Sequence, residues 1–167
     1  MCGNATILVA DDNADDAFFL ALALKKAGSS ATLRFVQDAQ QAINYLQGNG
    51  PYGNRAQFPF PNLFALELCL PGMSGFDLLE WLSQHHFFQR LTIGMLSDDE
   101  YEPHIRKALA LGAEFYFTKR PYFHELVEIA RQLSEKCAAG LRPSEIPAGA
   151  PASAEAAAPS ELCSNLF

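Results

Sequence analysis

Five side chains in this 167-residue chain have the types and spacing to handle a phosphoryl group: the acidic pair Asp11 and Asp12, Glu67, Ser97 and Lys119. Carboxylates brought together repel one another unless a cation sits among them. Hard oxygen ligands of this kind suit magnesium. A lysine opposite them neutralises remaining charge, and a serine hydroxyl donates to an anionic oxygen. Taken singly, each has a plainer explanation. An Asp-Asp pair after a strand caps a helix, and a lone lysine is usually solvated. Their joint use requires a scaffold that carries all of them to one place.

The pattern of elements supplies that scaffold. Residues 5–10, with Thr6, Ile7 and Val9, form a short apolar run that ends at Asp11. Residues 63–68 form a second such run, with Glu67 near its end and Cys69 just beyond. Residues 91–96 lead to Ser97, and residues 114–118 lead to Lys119. Residues 32–36 complete the set. Apolar runs of this length predict strands buried on both faces. Helical patterns lie between them. Asn13 or Asp12 caps the first, which continues to Gly28, and residues 39–47 form the second. Ser74 caps a third that carries Phe76, Leu79 and Leu82. Ile105, Ala108 and Leu109 mark a fourth, closed by Gly112; Phe123, Leu126, Val127, Ala130 and Leu133 mark a fifth, ending near Cys137. Residues 48–61 read as a loop, and Gly94 weakens its strand. Strand and helix alternate five times, which predicts an α/β fold: a doubly wound, flavodoxin-like parallel sheet in the order 2-1-3-4-5. Sites in such sheets form beyond the carboxyl ends of the strands, where the five residues fall.

The formal net charge of −7 disfavours nucleic acid and anionic membranes as direct partners. The N-terminus shows no basic stretch leading a long apolar one, so no signal peptide is expected. No apolar run approaches a membrane span. Cys2, Cys69, Cys137 and Cys163 are scattered with no C-x-x-C pair, and read as free thiols in a reducing cytoplasm. Residues 1–137 make one domain. Residues 138–167, rich in Ala, Pro and Ser, are expected to be a disordered tail.

Four stretches, taken in order, resemble the receiver domain of two-component response regulators. They are Ile-Leu-Val-Ala-Asp-Asp-Asn (7–13), Leu-Pro-Gly-Met-Ser-Gly-Phe-Asp-Leu-Leu (70–79), Leu-Gly-Ala (111–113) and Tyr-Phe-Thr-Lys (116–119). The loop Gly-Pro-Tyr-Gly-Asn-Arg (50–55) resembles that of single-domain, phytochrome-linked regulators. The resemblance implies that Asp11 and Asp12 are the acidic pair that binds magnesium together with the phosphorylatable aspartate. That aspartate lies four residues before the proline, and Glu67 stands there. Ser97 matches the hydroxyl position, Lys119 the phosphate-pairing lysine and Tyr116 the switch aromatic. A second departure is Arg120, between Lys119 and Pro121, which predicts a trans peptide and a shifted loop where the family has Lys-Pro.

The expected function is therefore that of an atypical receiver in two-component signalling, not an enzyme, acting by protein contact with Glu67 in place of the acceptor. Magnesium at Asp11, Asp12, Glu67 and the Cys69 carbonyl is expected to bind weakly, with no other cofactor. Two alternatives stand beside this reading: a phospho-switchable receiver using another acceptor, and a small magnesium-dependent phosphatase-like hydrolase with Asp11 as nucleophile. Partners would be a histidine kinase or another signalling protein. A homodimer could form through the fourth helix, fifth strand and fifth helix, a face that includes His104, Tyr116, Tyr122 and Phe123.

Overall fold

The computed structural model describes residues 5–140. Five parallel strands lie in the order β2-β1-β3-β4-β5: β1 Thr6–Ala10, β2 Thr32–Val36, β3 Leu63–Leu66, β4 Thr92–Ser97 and β5 Tyr116–Thr118. Helices α1 Ala14–Lys26, α2 Ala39–Gln47, α3 Gly75–Gln84, α4 Glu102–Ala110 and α5 Phe123–Ala139 connect and cover them. The expected strand order is the observed one.

Alternation along each strand divides the interior into two cores. Ile7, Val9, Leu63 and Ala65 point to one face, where Leu20 and Leu24 of α1 and Ile129 and Leu133 of α5 pack. Leu8, Ala10, Phe64 and Leu66 point to the other, against Ile43 and Leu46 of α2 and Phe76, Leu79 and Leu82 of α3. The central strands are buried on both sides, which is why they read as continuous apolar runs.

Local chemistry sets the element ends. The Asn13 side chain accepts from Asp15 N–H at 3.0 Å at the start of α1. Ser74 and Asp77 form a capping box on α3. Gly48 closes α2 with φ 74°, and the Arg55 guanidinium then bonds the last carbonyls, those of Tyr45 and Leu46, at 2.8 Å each. The loop of residues 48–61 contains a 3₁₀ turn, Gly50–Gly53.

Some boundaries differ from expectation. β3 stops at Leu66, so Glu67 lies just beyond the ladder, while β4 includes Ser97. α5 continues to Ala139, two residues beyond Cys137. The tail from residue 141 onward, together with Cys2 and Cys163, lies outside the described residues. No helix among the described residues is long and apolar enough to cross a membrane.

Candidate functional site

Backbone hydrogen bonds extend the sheet past the strand ends and fix the site residues. Asp11 N–H donates to Val36 O at 3.0 Å, Glu67 N–H to Ala10 O at 2.9 Å and Lys119 N–H to Ser97 O at 2.8 Å. The first residue of α3 braces Glu67 from behind. Gly75 N–H donates to Leu68 O at 2.7 Å, and a Cβ on Gly75 would stand 2.6 Å from Glu67 O. Only glycine lets α3 press this closely on the end of β3.

Four of the five residues expected at the strand ends meet. Lys119 Nζ stands 2.6 Å from Asp11 Oδ2 and 2.7 Å from Glu67 Oε2. Glu67 Oε1 accepts from its neighbour Leu68 N–H at 2.7 Å and from the Ser97 hydroxyl. The expected displacement of the loop by Arg120 does not carry Lys119 away. No cis peptide occurs among the described residues, and the trans Lys119–Arg120 bond leaves the lysine in full contact with the acids.

Asp12 is the exception. It is exposed, and the carboxylates within 4 Å of Lys119 among the described residues are those of Asp11, Asp16, Glu67 and Asp98. Asp16, at 2.7 Å, takes the place expected of Asp12. It sits in the first turn of α1, where its charge also complements the helix N-terminus. Cys69, half-buried after β3, belongs to no group of three or more His, Cys, Asp or Glu residues placed for a metal among the described residues.

Beyond Ser97 the network reaches α4. Asp99 N–H donates to Ser97 Oγ at 3.2 Å, Tyr116 OH donates to Asp99 O at 2.9 Å, and His104 Nδ1 lies 3.0 Å from Asp99 Oδ2. Tyr116 is thus turned inward, and burial pushes its hydroxyl pKa up to about 12.

Burial dominates the electrostatics. Asp11, Glu67 and Ser97 are 3%, 8% and 1% exposed, so the two carboxylates and the hydroxyl beside them face little water. Burial raises the pKa of Glu67, with Lys119, Ser97 and Leu68 N–H opposing, and raises that of Asp11 against the pull of Lys119. Burial also disfavours the Lys119 ammonium, but Glu67, Asp11 and Asp16 outweigh it and hold the lysine protonated.

These residues do not fit a resident magnesium ion. Magnesium demands oxygens at roughly 2.0–2.1 Å in octahedral array, whereas an ammonium holds Asp11, Asp16 and Glu67 at 2.6–2.7 Å and Asp12 is exposed to solvent. A cleft of about 340 Å³ opens beside the cluster, between α1 and the segment from β5 to α5, walled by Phe19, Leu20, Pro121, Tyr122 and Phe123.

A sequence profile of the response regulator receiver domain matches residues 7–131. Response regulator Rcp1 of Synechocystis sp. is 26% identical over 125 residues, covering 75% of this chain and 83% of that protein. Two-component response regulator ARR5 of Arabidopsis thaliana is 27% identical over 115 residues, which span 68% of this chain and 61% of ARR5. Among solved structures, the response regulator RPA3017 in red light signaling of R. palustris superposes with a TM-score of 0.72 at 32% identity, covering 77% of this chain and 90% of that one. The phosphorylated cyanobacterial phytochrome response regulator RcpA superposes with a TM-score of 0.73 at 25% identity, covering 85% and 100%.

Proposed function

The chain belongs to the response regulator receiver family, and from that premise we propose that it is an atypical receiver that signals by protein contact without accepting a phosphoryl group. The observation that carries the reading is the state of Glu67. Both its carboxylate oxygens are engaged, Oε2 by Lys119 and Oε1 by Ser97 and Leu68 N–H. The hydroxyl and the ammonium that would receive a phosphoryl group are held by the side chain that would have to carry it.

Phosphoryl transfer depends on an in-line nucleophile and on charge neutralisation. The extra methylene of glutamate moves the carboxylate outward by about one bond, and a misplacement near 1 Å costs on the order of a hundredfold in rate. Glu67 already draws the ends of β3, β4 and β5 together, so the contacts that phosphorylation would create exist without it. Output then comes from surface. Tyr101, Leu109, Tyr122 and Phe123 are exposed on and around α4 and α5, and they would meet a second copy, a histidine kinase or another cytoplasmic signalling protein. Tyr116 and His104 contribute less to that face, because the first is turned inward and the second packs on Phe76 and pairs with Asp99.

The hydrolase reading is not favoured. The Asp11 carboxylate accepts from Asn13 N–H through Oδ1 at 2.9 Å and binds Lys119 through Oδ2, which leaves it poorly placed as a nucleophile. Incubation with acetyl phosphate or a cognate kinase, read on Phos-tag gels, is expected to show no phosphorylated species. Stoichiometric phosphorylation would overturn the proposal, and Glu67→Asp is expected to gain acceptance.

A further inference from the structure

Three acidic oxygens converge on one point. Asp11 Oδ2 at the end of β1, Asp16 Oδ2 in the first turn of α1 and Glu67 Oε2 past β3 stand 2.6, 2.7 and 2.7 Å from Lys119 Nζ. Three carboxylate oxygens around a centre, near the upper limit of about 2.3–2.6 Å for calcium, make half of a hard-cation shell. Here a nitrogen is at the centre. An ammonium has three N–H donors and no acceptor, so three carboxylates saturate it. Its side chain is only 11% exposed.

We propose that Lys119 is the resident cation of this receiver, an ammonium fixed where a divalent ion would otherwise neutralise the acids, so that the native pocket is closed to magnesium and calcium. A tethered cation is present at every ionic composition, whereas a dissociable one acts only near or above its Kd. A divalent ion would have to expel Lys119, break its three contacts and leave the ammonium without a partner of equal quality. Asp98, at 3.8 Å and largely exposed, is the remaining acid near it among the described residues. Asp12, on the solvent side, contributes no oxygen to the cluster. The inference rests on the reading of Glu67 as a charge partner of Lys119 and not an acceptor, and it adds that the site has exchanged ion control for a permanent charge.

The test is a titration of the full native chain with MgCl₂ and CaCl₂, followed by calorimetry and Tm, with Mn²⁺ broadening of amide resonances as a local probe. The expected result is no saturable heat, no Tm shift at millimolar ion and no broadening centred on Asp11 and Glu67. Lys119→Met removes the ammonium. It is expected to lower Tm in chelator and to regain several degrees with millimolar calcium or magnesium, binding one ion per chain. Lys119→Gln serves if the Met variant does not fold, and the native titration decides the claim without either. Saturable one-to-one binding by the native chain overturns the proposal, as does a folded Lys119 variant with no cation response. A magnesium-insensitive chain that is nonetheless phosphorylated at a residue other than Glu67 would defeat the signalling reading alone. A chain that binds magnesium yet resists acetyl phosphate would defeat this one alone.

Discussion

At the scale of the residue, Glu67 is a junction. Its carboxylate joins the end of β3 to Ser97 on β4 and to Lys119 after β5. The junction has a pH signature. Burial raises the Glu67 pKa above its ordinary 4.5, so the folded state holds this proton more tightly than the unfolded chain does. Its contribution to stability is then fully present below the unfolded value and is lost as pH rises through the folded one. Glu67→Gln cannot titrate. Its stability is expected to fall less between mildly acidic and neutral pH than that of the native chain, measured by urea unfolding at stepped pH. At pH 7 the substitution is expected to cost about 1–3 kcal/mol, because Lys119 retains Asp11 and Asp16. Glu67, Asp11, Ser97 and Lys119 were legible in the sequence because each follows an apolar run, and a parallel sheet brings strand ends together. Asp12 and Asp16 were not separable in this way. Which of two acids near the start of α1 faces the lysine depends on the phase of the first helical turn, and both suit a helix N-terminus equally well.

At the scale of the element, close approaches without side chains hold the site in shape. Gly94 in β4 looks in sequence like a weak point in a strand. In the structure a Cβ there would stand 2.5 Å from the Phe115 ring, so the glycine is the recess that lets this ring cover the sheet. Gly94→Ala is expected to destabilise by about 1–3 kcal/mol through overpacking, seen as a lower midpoint in denaturant, and a smaller side chain at Phe115 should recover part of it. The partner responsible lies 21 positions away in sequence, from Gly94 to Phe115, beyond any local pattern. The loop of residues 48–61 was legible as a loop from its Gly, Pro and Asn content. The role of Arg55 was not, because it serves the carbonyls at the end of α2 and no spacing rule connects the two. The ends of β3 and α5 each differ by two residues: β3 stops short because apolar residues such as Leu68 also pack in the turn beyond a strand, and α5 runs on because helix ends are set by capping more than by the apolar pattern.

At the scale of the whole molecule, strict alternation and right-handed crossovers narrow the sheet to a few topologies, of which the doubly wound order is the one preferred from the sequence and the one observed. What the molecule exposes is less regular. Phe18, Phe19, Leu22, Tyr101, Leu109, Tyr122 and Phe123 are the large apolar side chains left in solvent among the described residues, and they gather on α1 and around α4 and the start of α5. Tyr122→Ser with Phe123→Ser is expected to leave stability within about 0.5 kcal/mol while weakening self-association or partner binding, measured by sedimentation. Unchanged association would move the contact face elsewhere. The Lys119 cluster also has a consequence in time. Lys119 meets Asp11 across 108 positions and Asp16 across 103. During synthesis all three converging acids emerge before their counter-charge does. A nascent chain that pairs β1 with β3 gathers like charges at the end of its growing sheet, a repulsion that water and salt screen until the fifth strand delivers the lysine.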